Sequence, residues 1–358
     1  MTTLHPFIIP RLDPEYVAFH NVHIVHLPQV HELPWDPSIR NTYAIPGSSQ
    51  PPPIGKVEDF NLSRCRVRVF TPEGPCPEPG WPVFIFFHGG GWTLGNVNSE
   101  NAFCKNICTS KGCCHHFNST ELANLSGAQC VVVSVDYRLA PENPYPEAVE
   151  DAVEALQWVW QRGASILGVD TKRIAVGGSS RHARSGGNLA AVLTHKAAQL
   201  YPPIPLIFQL LIVPVIDNTA SASGVPHASW RENEHTPWLT PKKMLWFRRQ
   251  YLPHEQTWAR WDVSPLLAQD EMFRRVPKAW IAVAELDILR DEGIAYGNKL
   301  LAAGVPTEIK TYKGAPHPIM AMDASLSVLR IGKQLVSDSA AALSEAFGTT
   351  SQASQAQG

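Results

Sequence analysis

Hydrophobic positions in this chain fall into short continuous runs, separated by segments with the spacing of helices. An apolar run of four to eight residues is typical of a strand buried on both faces, whereas alternation predicts a half-buried strand. Strands are predicted at residues 66–70, 83–87, 130–135, 174–176, 206–216, 279–284 and 308–312. The first of these alternates, as an edge strand does.

Helices are predicted between these strands from apolar residues three or four positions apart. They cover residues 15–19, 146–160, 189–200, 241–251 and 293–303. Thr240 is a suitable N-cap for the fourth helix, and Gly304 is a typical stop for the fifth. Strands that alternate with helices predict an α/β fold, with a mostly parallel central sheet and helices on both faces.

The pattern also predicts the organisation of the chain. Residues 1–55 are rich in proline and histidine and predict an N-terminal arm, and residues 56–340 predict the core domain. An insertion at about 218–263 is dense in tryptophan and predicts a helical lid, with a plain surface excursion as the alternative. Residues 341–358 predict a disordered tail.

Composition and charge exclude several classes of function. The 358 residues carry a net charge of −2, so nothing favours nucleic acid or an anionic membrane as partner. The longest apolar run, residues 205–216, is shorter than the roughly 20 residues that span a bilayer, and the first residues lack a signal-peptide layout. We therefore expect a cytoplasmic protein without a stable membrane anchor, whose seven cysteines are free thiols.

The strongest chemical motif follows the strand at residues 83–87, where His88 is followed by Gly89, Gly90, Gly91 and Trp92. Glycines after a buried strand leave backbone N–H groups uncovered by side chains. Such groups can stabilise an oxyanion during acyl transfer, each by about 3 kcal/mol. The motif therefore predicts an oxyanion hole.

A serine-rich turn, an acid and a histidine follow in the chain. The turn lies between the strand at 174–176 and a helix, which is the context of a nucleophile elbow. Asp287 and His317 each follow a predicted strand, and loops at the carboxyl ends of parallel strands commonly hold the site. Asp291, one helical turn beyond Asp287, is the less favoured acid.

With these motifs the chain resembles the hormone-sensitive-lipase-like family of α/β-hydrolases over about residues 60–335. His88–Trp92 matches its HGGGW motif, Asp136–Glu142 its DYRLAPE signature, and Asp287–Gly293 is similar to its aspartate loop. The resemblance implies an α/β-hydrolase fold, Gly89, Gly90 and Gly91 as the oxyanion hole, Asp287 as orienting acid and His317 as base. It implies structural support from His88, Asp136, Tyr137 and Arg138.

The nucleophile motif departs from the family pattern Gly-x-Ser-x-Gly-Gly-Asn. Gly178-Ser179-Ser180 joins Ser185-Gly186-Gly187-Asn188 only if the four residues 181–184 are an insertion. That alignment predicts Ser180 as the nucleophile, although His182 then stands where the family has glycine. Ser179 and Ser185 remain alternatives.

A second insertion falls at residues 110–126, which include two cysteines and two histidines in succession. Adjacent ligands of this kind cannot readily complete one tetrahedron, so no metal site is predicted. The residues of both insertions are also compatible with an error of splicing: a retained intron at 110–126 and a misplaced splice boundary at 181–184. Sequencing of the transcript tests both.

The combined motifs predict a serine carboxylesterase that acts on small-molecule esters with short or medium acyl chains and needs no cofactor. An amidase or formamidase could use the same groups. The insertion after Ser180 allows a third interpretation, a catalytically impaired protein that binds a small ligand beneath the lid, like the family-related plant hormone receptors. The sequence does not indicate an oligomeric state.

Overall fold

The computed structural model describes residues 3–42, 53–109, 127–179, 185–319 and 329–349. Its centre is an eight-stranded sheet in the order β1-β2-β4-β3-β5-β6-β7-β8. Strand pairs β1–β2 and β2–β4 are antiparallel and all the others are parallel. The strands are β1 Lys56–Asn61, β2 Arg66–Thr71, β3 Trp81–Phe87, β4 Val131–Asp136, β5 Val169–Gly178, β6 Phe208–Ile212, β7 Lys278–Leu286 and β8 Thr307–Pro316.

Helices connect the parallel strands and cover the sheet. They are α1 Pro14–Phe19, α2 Ile39–Thr42, α3 Asn101–Cys108, α4 Glu147–Leu167, α5 Ser185–Gln199, α6 Ser229–Glu232, α7 Pro241–Tyr251, α8 Asp270–Phe273, α9 Arg290–Ala302 and α10 Arg330–Phe347. Thr240 caps α7 as predicted, with its side chain accepting from the backbone N–H of Lys243. The α/β-hydrolase architecture expected from the sequence is confirmed.

Two hydrophobic clusters fill the space between the sheet and its helices. Along β3, Val83, Ile85 and Phe87 join one cluster while Phe84 and Phe86 join the other. Helices α4, α5 and α9 cover the first face, and α3, α10 and the N-terminal arm cover the second. Burial on both sides explains why β3 is apolar at every position.

Several boundaries differ from the sequence predictions. The strand at residues 66–70 is not at the edge, because β1 pairs outside it. The strand predicted at 206–216 ends at Ile212, since Val213 adopts a left-handed φ of 42° and proline follows. The tail predicted from residue 341 is helical up to Phe347, where Leu343 and Phe347 pack in the core. Residues 350–358 lie outside the described residues.

The N-terminal arm is joined to the carboxyl end of the sheet. The backbone N–H of Asp13 donates to the carbonyl of Gly314 in β8, at 3.0 Å. Arg330, at the start of α10, donates to Asp13 and to Glu15, also at 3.0 Å. The arm thus contacts the strand that leads into His317.

Candidate active site

Four chemically important segments leave the sheet at its carboxyl edge. His88 follows β3, Ser179 follows β5, Asp287 follows β7 and His317 follows β8. Strands β3, β5, β6, β7 and β8 are parallel neighbours, so the ends of these strands lie along one edge. The order and direction of the strands therefore place the predicted groups along one edge of the sheet.

The glycine loop after β3 has a backbone that requires glycine. Gly90 has a φ of 148°, and a Cβ atom on it would lie 1.7 Å from the carbonyl oxygen of Leu94. The Nδ1 of His88 donates to the carbonyl of Gly89 at 2.8 Å, and the His88 ring stacks on Tyr137 at 4.4 Å. His88 thus anchors the end of the glycine loop that is joined to β3.

One of the three predicted oxyanion donors is already used within the protein. The N–H of Gly89 donates to Oε1 of Glu100 at 2.9 Å. A donor bonded to a buried carboxylate cannot also bond an oxyanion well. This bond argues against the role predicted for Gly89, whereas the roles of Gly90 and Gly91 stay predictions.

The second motif supports the glycine loop from the side. Asp136 accepts from the N–H of Val97 at 2.8 Å and pairs with Arg66. The hydroxyl of Tyr137 donates to the carbonyl of His88 at 2.8 Å. Arg138 binds the buried carboxylate of Asp151 on α4. These contacts join the segment after β4 to the glycine loop and to α4.

His317 and Asp287 form a buried pair. The Nδ1 of His317 lies 2.6 Å from Oδ2 of Asp287, and both side chains are 1% exposed. Asp291 points elsewhere: it accepts from the N–H of Ser229 at 2.7 Å and binds Arg290. The geometry therefore pairs the histidine with the first of the two candidate acids.

The turn between β5 and α5 is closed by two glycines. A Cβ atom on Gly178 would lie 2.1 Å from the carbonyl oxygen of Gly186, and one on Gly186 would lie 2.0 Å from the carbonyl oxygen of Phe87. These backbone segments touch although residues 180–184 separate them in the chain. Gly178 and Gly186 are thus in close contact in space.

Ser180, the predicted nucleophile, and the insertion at 181–184 lie outside the described residues, as does the insertion at 110–126. The two alternative serines are both described and both buried. The hydroxyl of Ser179 donates to Oε2 of Glu100. The hydroxyl of Ser185 lies 2.5 Å from that of Tyr137 and 3.5 Å from the carbonyl of His88. Neither described contact is with His317.

The tryptophan-rich insertion packs directly on the loops of the site. Trp92, next to the glycines, has a φ of 57°, and its ring stacks on Tyr251 of α7 at 4.3 Å. The amide of Asn233 donates to the carbonyl of Asp287 at 3.0 Å, and Thr236 donates to that of Leu286. The insertion thus contacts both the glycine loop and the aspartate loop.

Sequence reasoning missed Glu100 and the Trp92–Tyr251 stack. Glu100 belongs to no recognised motif, and the only local signal is its place just before α3. The sequence places Tyr251 in the insertion but does not show that it contacts Trp92, because the local spacing of residues does not reveal a contact between distant segments. Both became visible only through tertiary contacts.

The remaining expectations concern cysteines, metals and membranes. Among the described residues Cys65, Cys76, Cys104, Cys108 and Cys130 are free thiols. In the same part of the chain no group of three His, Cys, Asp or Glu residues could hold a metal ion. None of the helices described above is both long and apolar enough to cross a bilayer.

Comparison with known proteins agrees with this architecture. A family model described as an alpha/beta hydrolase fold matches residues 114–321. An AB hydrolase superfamily protein of Schizosaccharomyces pombe is 44% identical over 351 residues, which cover 94% of each chain. The chain belongs to the hormone-sensitive-lipase-like family of α/β-hydrolases.

Other members of this α/β-hydrolase family indicate the type of reaction. A carboxylesterase of Mycobacterium tuberculosis is 37% identical over 260 residues, covering 72% of this chain and 71% of that one. The crystal structure of a thermostable esterase from Pseudomonas putida superposes with a TM-score of 0.76 at 29% identity, covering 94% and 98% of the two chains. This α/β-hydrolase is therefore an esterase of the carboxylesterase type.

Proposed function

We propose that this esterase hydrolyses small-molecule carboxylic esters with short or medium acyl chains through Ser180, His317 and Asp287. The observation that carries the proposal is the buried contact between His317 Nδ1 and Asp287 Oδ2 at 2.6 Å. It fixes the orientation of the imidazole and leaves Nε2 as the atom that can act on a serine hydroxyl.

In this mechanism the oxygen of Ser180 attacks the ester carbonyl while its proton moves to Nε2 of His317. The negative oxygen is stabilised by the N–H groups of Gly90 and Gly91. The imidazolium, stabilised by Asp287, then gives its proton to the departing alcohol, and a water molecule repeats the sequence on the acyl-enzyme.

The choice of Ser180 is supported by its described neighbours. Ser179 and Ser185 direct their hydroxyls to Glu100 and Tyr137. The contact between Gly178 and Gly186 gives the turn the close strand–helix approach that a nucleophile elbow requires. In the sequence Ser180 follows Ser179 directly.

A cavity of about 410 Å³ lies between the arm and the insertion, and its lining includes His20, Leu27, Thr236, Trp238 and Lys243. That lining does not include Gly90, Gly91, Asp287 or His317, so its volume sets no limit on the acyl chain. The acyl length is part of the proposal, and the series of ester substrates below tests it.

Labelling with a fluorophosphonate, followed by peptide mapping, tests the nucleophile. We expect the label on the peptide that contains Ser180, and we expect Ser180→Ala to abolish both labelling and hydrolysis of nitrophenyl acetate. Ser185→Ala is the matched control, since its hydroxyl is bonded to Tyr137, and should keep most of the activity.

Label on Ser179 or Ser185 would reassign the nucleophile, and folded protein that takes no label would support the ligand-binding alternative instead. Comparing nitrophenyl acetate with the octanoate and dodecanoate esters tests acyl length, with a fall in kcat/KM expected at the longest chain. Faster cleavage of matched anilides than of esters would favour the amidase alternative.

A further inference from the structure

Glu100 is a buried carboxylate between the two loops that acyl transfer depends on. Glu100 is 5% exposed. It directly precedes α3 and lies outside every motif recognised in the sequence. One oxygen accepts from the N–H of Gly89 at 2.9 Å, and the other accepts from the hydroxyl of Ser179. A single side chain thus bridges the glycine loop and the serine turn.

The backbone of Glu100 is fixed on both sides. Before it, the N–H of Val97 is bonded to Asp136 and the N–H of Ser99 to the carbonyl of Asn96. After it, the carbonyl of Glu100 accepts from the N–H of Cys104 in the first turn of α3. The carboxylate therefore projects from a rigid support, which is what a positioning group needs.

Ser179 is held equally firmly. Its N–H donates to the carbonyl of Phe87 at 3.2 Å, and its own carbonyl oxygen lies within 2.8 Å of where a Cβ atom on Gly186 would be. The hydroxyl bond to Glu100 fixes the remaining freedom of the residue. Because Ser180 is the next residue, any displacement of Ser179 moves it as well.

The chemistry of the contact is unusual for a structural carboxylate. Burying a carboxylate is costly unless it is paired or fully hydrogen-bonded. Within the part of the chain that the structure describes, no Lys, Arg or His forms an ion pair with Glu100, and its donors are a peptide N–H and a hydroxyl. A leucine or methionine could fill such a place without that cost, but neither could join the two loops.

We infer that Glu100 is a positioning residue, whose carboxylate sets the spacing between the oxyanion donors and the nucleophile. The inference rests on the proposed function, because it assumes that Ser180 attacks and that Gly90 and Gly91 receive the oxyanion. Binding of Gly89 to Glu100 also turns this N–H away from the substrate, which orients the two N–H groups that follow. The described contacts of Glu100 are with Gly89 and Ser179, and neither of these residues reacts in the proposed mechanism.

The test compares Glu100→Ala, Glu100→Gln and Ser179→Ala with wild type, by steady-state kinetics and by the rate of fluorophosphonate labelling. A misplacement of about 1 Å costs roughly a hundredfold in rate, so we expect kcat of E100A to fall about a hundredfold, with KM within about threefold. Labelling should slow in parallel. E100Q should stay within about fivefold of wild type, since its amide can accept from Gly89 and donate to Ser179.

A double substitution and a control separate positioning from stability. In E100A/S179A we expect little further loss beyond E100A, because both changes remove the same bond. Glu154→Ala is the matched control: its carboxylate accepts from two backbone N–H groups, of Ser63 and Arg64, both at 3.0 Å and away from the site. It should leave kcat unchanged.

A kcat of folded E100A within about threefold of wild type would overturn the inference alone, as would an equal loss in E100Q and E100A. If E100A does not fold, E100Q and S179A decide: retained activity in the first and about a tenfold loss of kcat in the second support the inference, and the absence of any loss in S179A overturns it. Wild-type protein that neither hydrolyses esters nor takes the label would overturn the proposed function and this inference with it.

Discussion

At the scale of single residues, Asp287 and Asp291 lie one helical turn apart but have different surroundings. Asp287 is completely buried against His317, whereas Asp291 faces the N–H of Ser229 and the guanidinium of Arg290. A carboxylate that orients a catalytic imidazole holds its tautomer and stabilises its charged form. Only the first of these two can do so.

Replacing each acid by its amide tests this difference. We expect Asp287→Asn to lower kcat by about 10⁴-fold, because the imidazole would be held in the wrong tautomer. Asp291→Asn should stay within about threefold of wild type while lowering stability slightly. The measurement is kcat for nitrophenyl acetate together with thermal unfolding, and a larger kcat loss in D291N would contradict the assignment.

Much of the site could be predicted from single residues because its chemistry is concentrated in short motifs. His88, Asp287 and His317 each stand directly after a strand, so their common edge followed from the parallel sheet. Glu100 could not be predicted, since its partners lie 11 and 79 positions away. The hydrogen bond from the Gly89 N–H to Glu100 could not be predicted for the same reason.

At the scale of elements, the approach of β5 to α5 depends on residues without side chains. The ideal Cβ of Gly186 lies 2.0 Å from a backbone oxygen of β3, a distance that no side-chain atom tolerates. Since the obstacle is backbone within the sheet, it cannot move aside as a flexible side chain would.

Gly186→Ala should therefore lower the free energy of unfolding by about 3 kcal/mol or more, and should reduce the rate of phosphonate labelling in whatever folded protein remains. Gly304→Ala is the matched control. Gly304 has a φ of 82° but nothing within 4 Å of its ideal Cβ, so only backbone strain of about 1 kcal/mol is expected. Urea unfolding compares the two, and equal losses would refute the close approach.

The elements that the sequence predicted well are those buried on both faces. β3, β4 and β7 are apolar at almost every position, and their predicted bounds differ from the observed ones by at most two residues. β1 was not predicted because it lies at the edge and mixes exposed with half-buried residues. Helix α3 was missed as well, since its eight residues give only two turns of pattern.

At the scale of the whole molecule, we expect the stability of the fold to depend on pH through a buried histidine that has no part in the proposed mechanism. His195 on α5 is 1% exposed and packs against the rings of Phe273 and Tyr296. Burial, with a contribution from the charge of Lys299, lowers the pKa of His195 from 6.5 to about 4. In the unfolded chain this imidazole takes up a proton near its ordinary pKa of about 6.5.

The direction of this pH dependence follows from proton uptake by the unfolded chain. Below about pH 6.5 the unfolded state binds a proton that folded His195 does not bind until about pH 4, so stability is present above pH 6.5 and is lost as the pH falls. The loss between pH 7 and pH 5 should be roughly 2 kcal/mol. His195→Gln should show a smaller loss, measured by urea unfolding at both values, and identical losses would contradict the assignment.

The hydrogen bond between Asp13 and Gly314 has a practical consequence for how the enzyme is handled. Together with the salt bridge from Arg330 to Asp13, it makes the segment around Asp13 part of the scaffold behind His317. Immobilisation on a bead through the amino terminus would place any mechanical load on the histidine loop. Attachment beyond Thr349, which follows α10 and donates its hydroxyl to the carbonyl of Ala128, would place no such load on that loop.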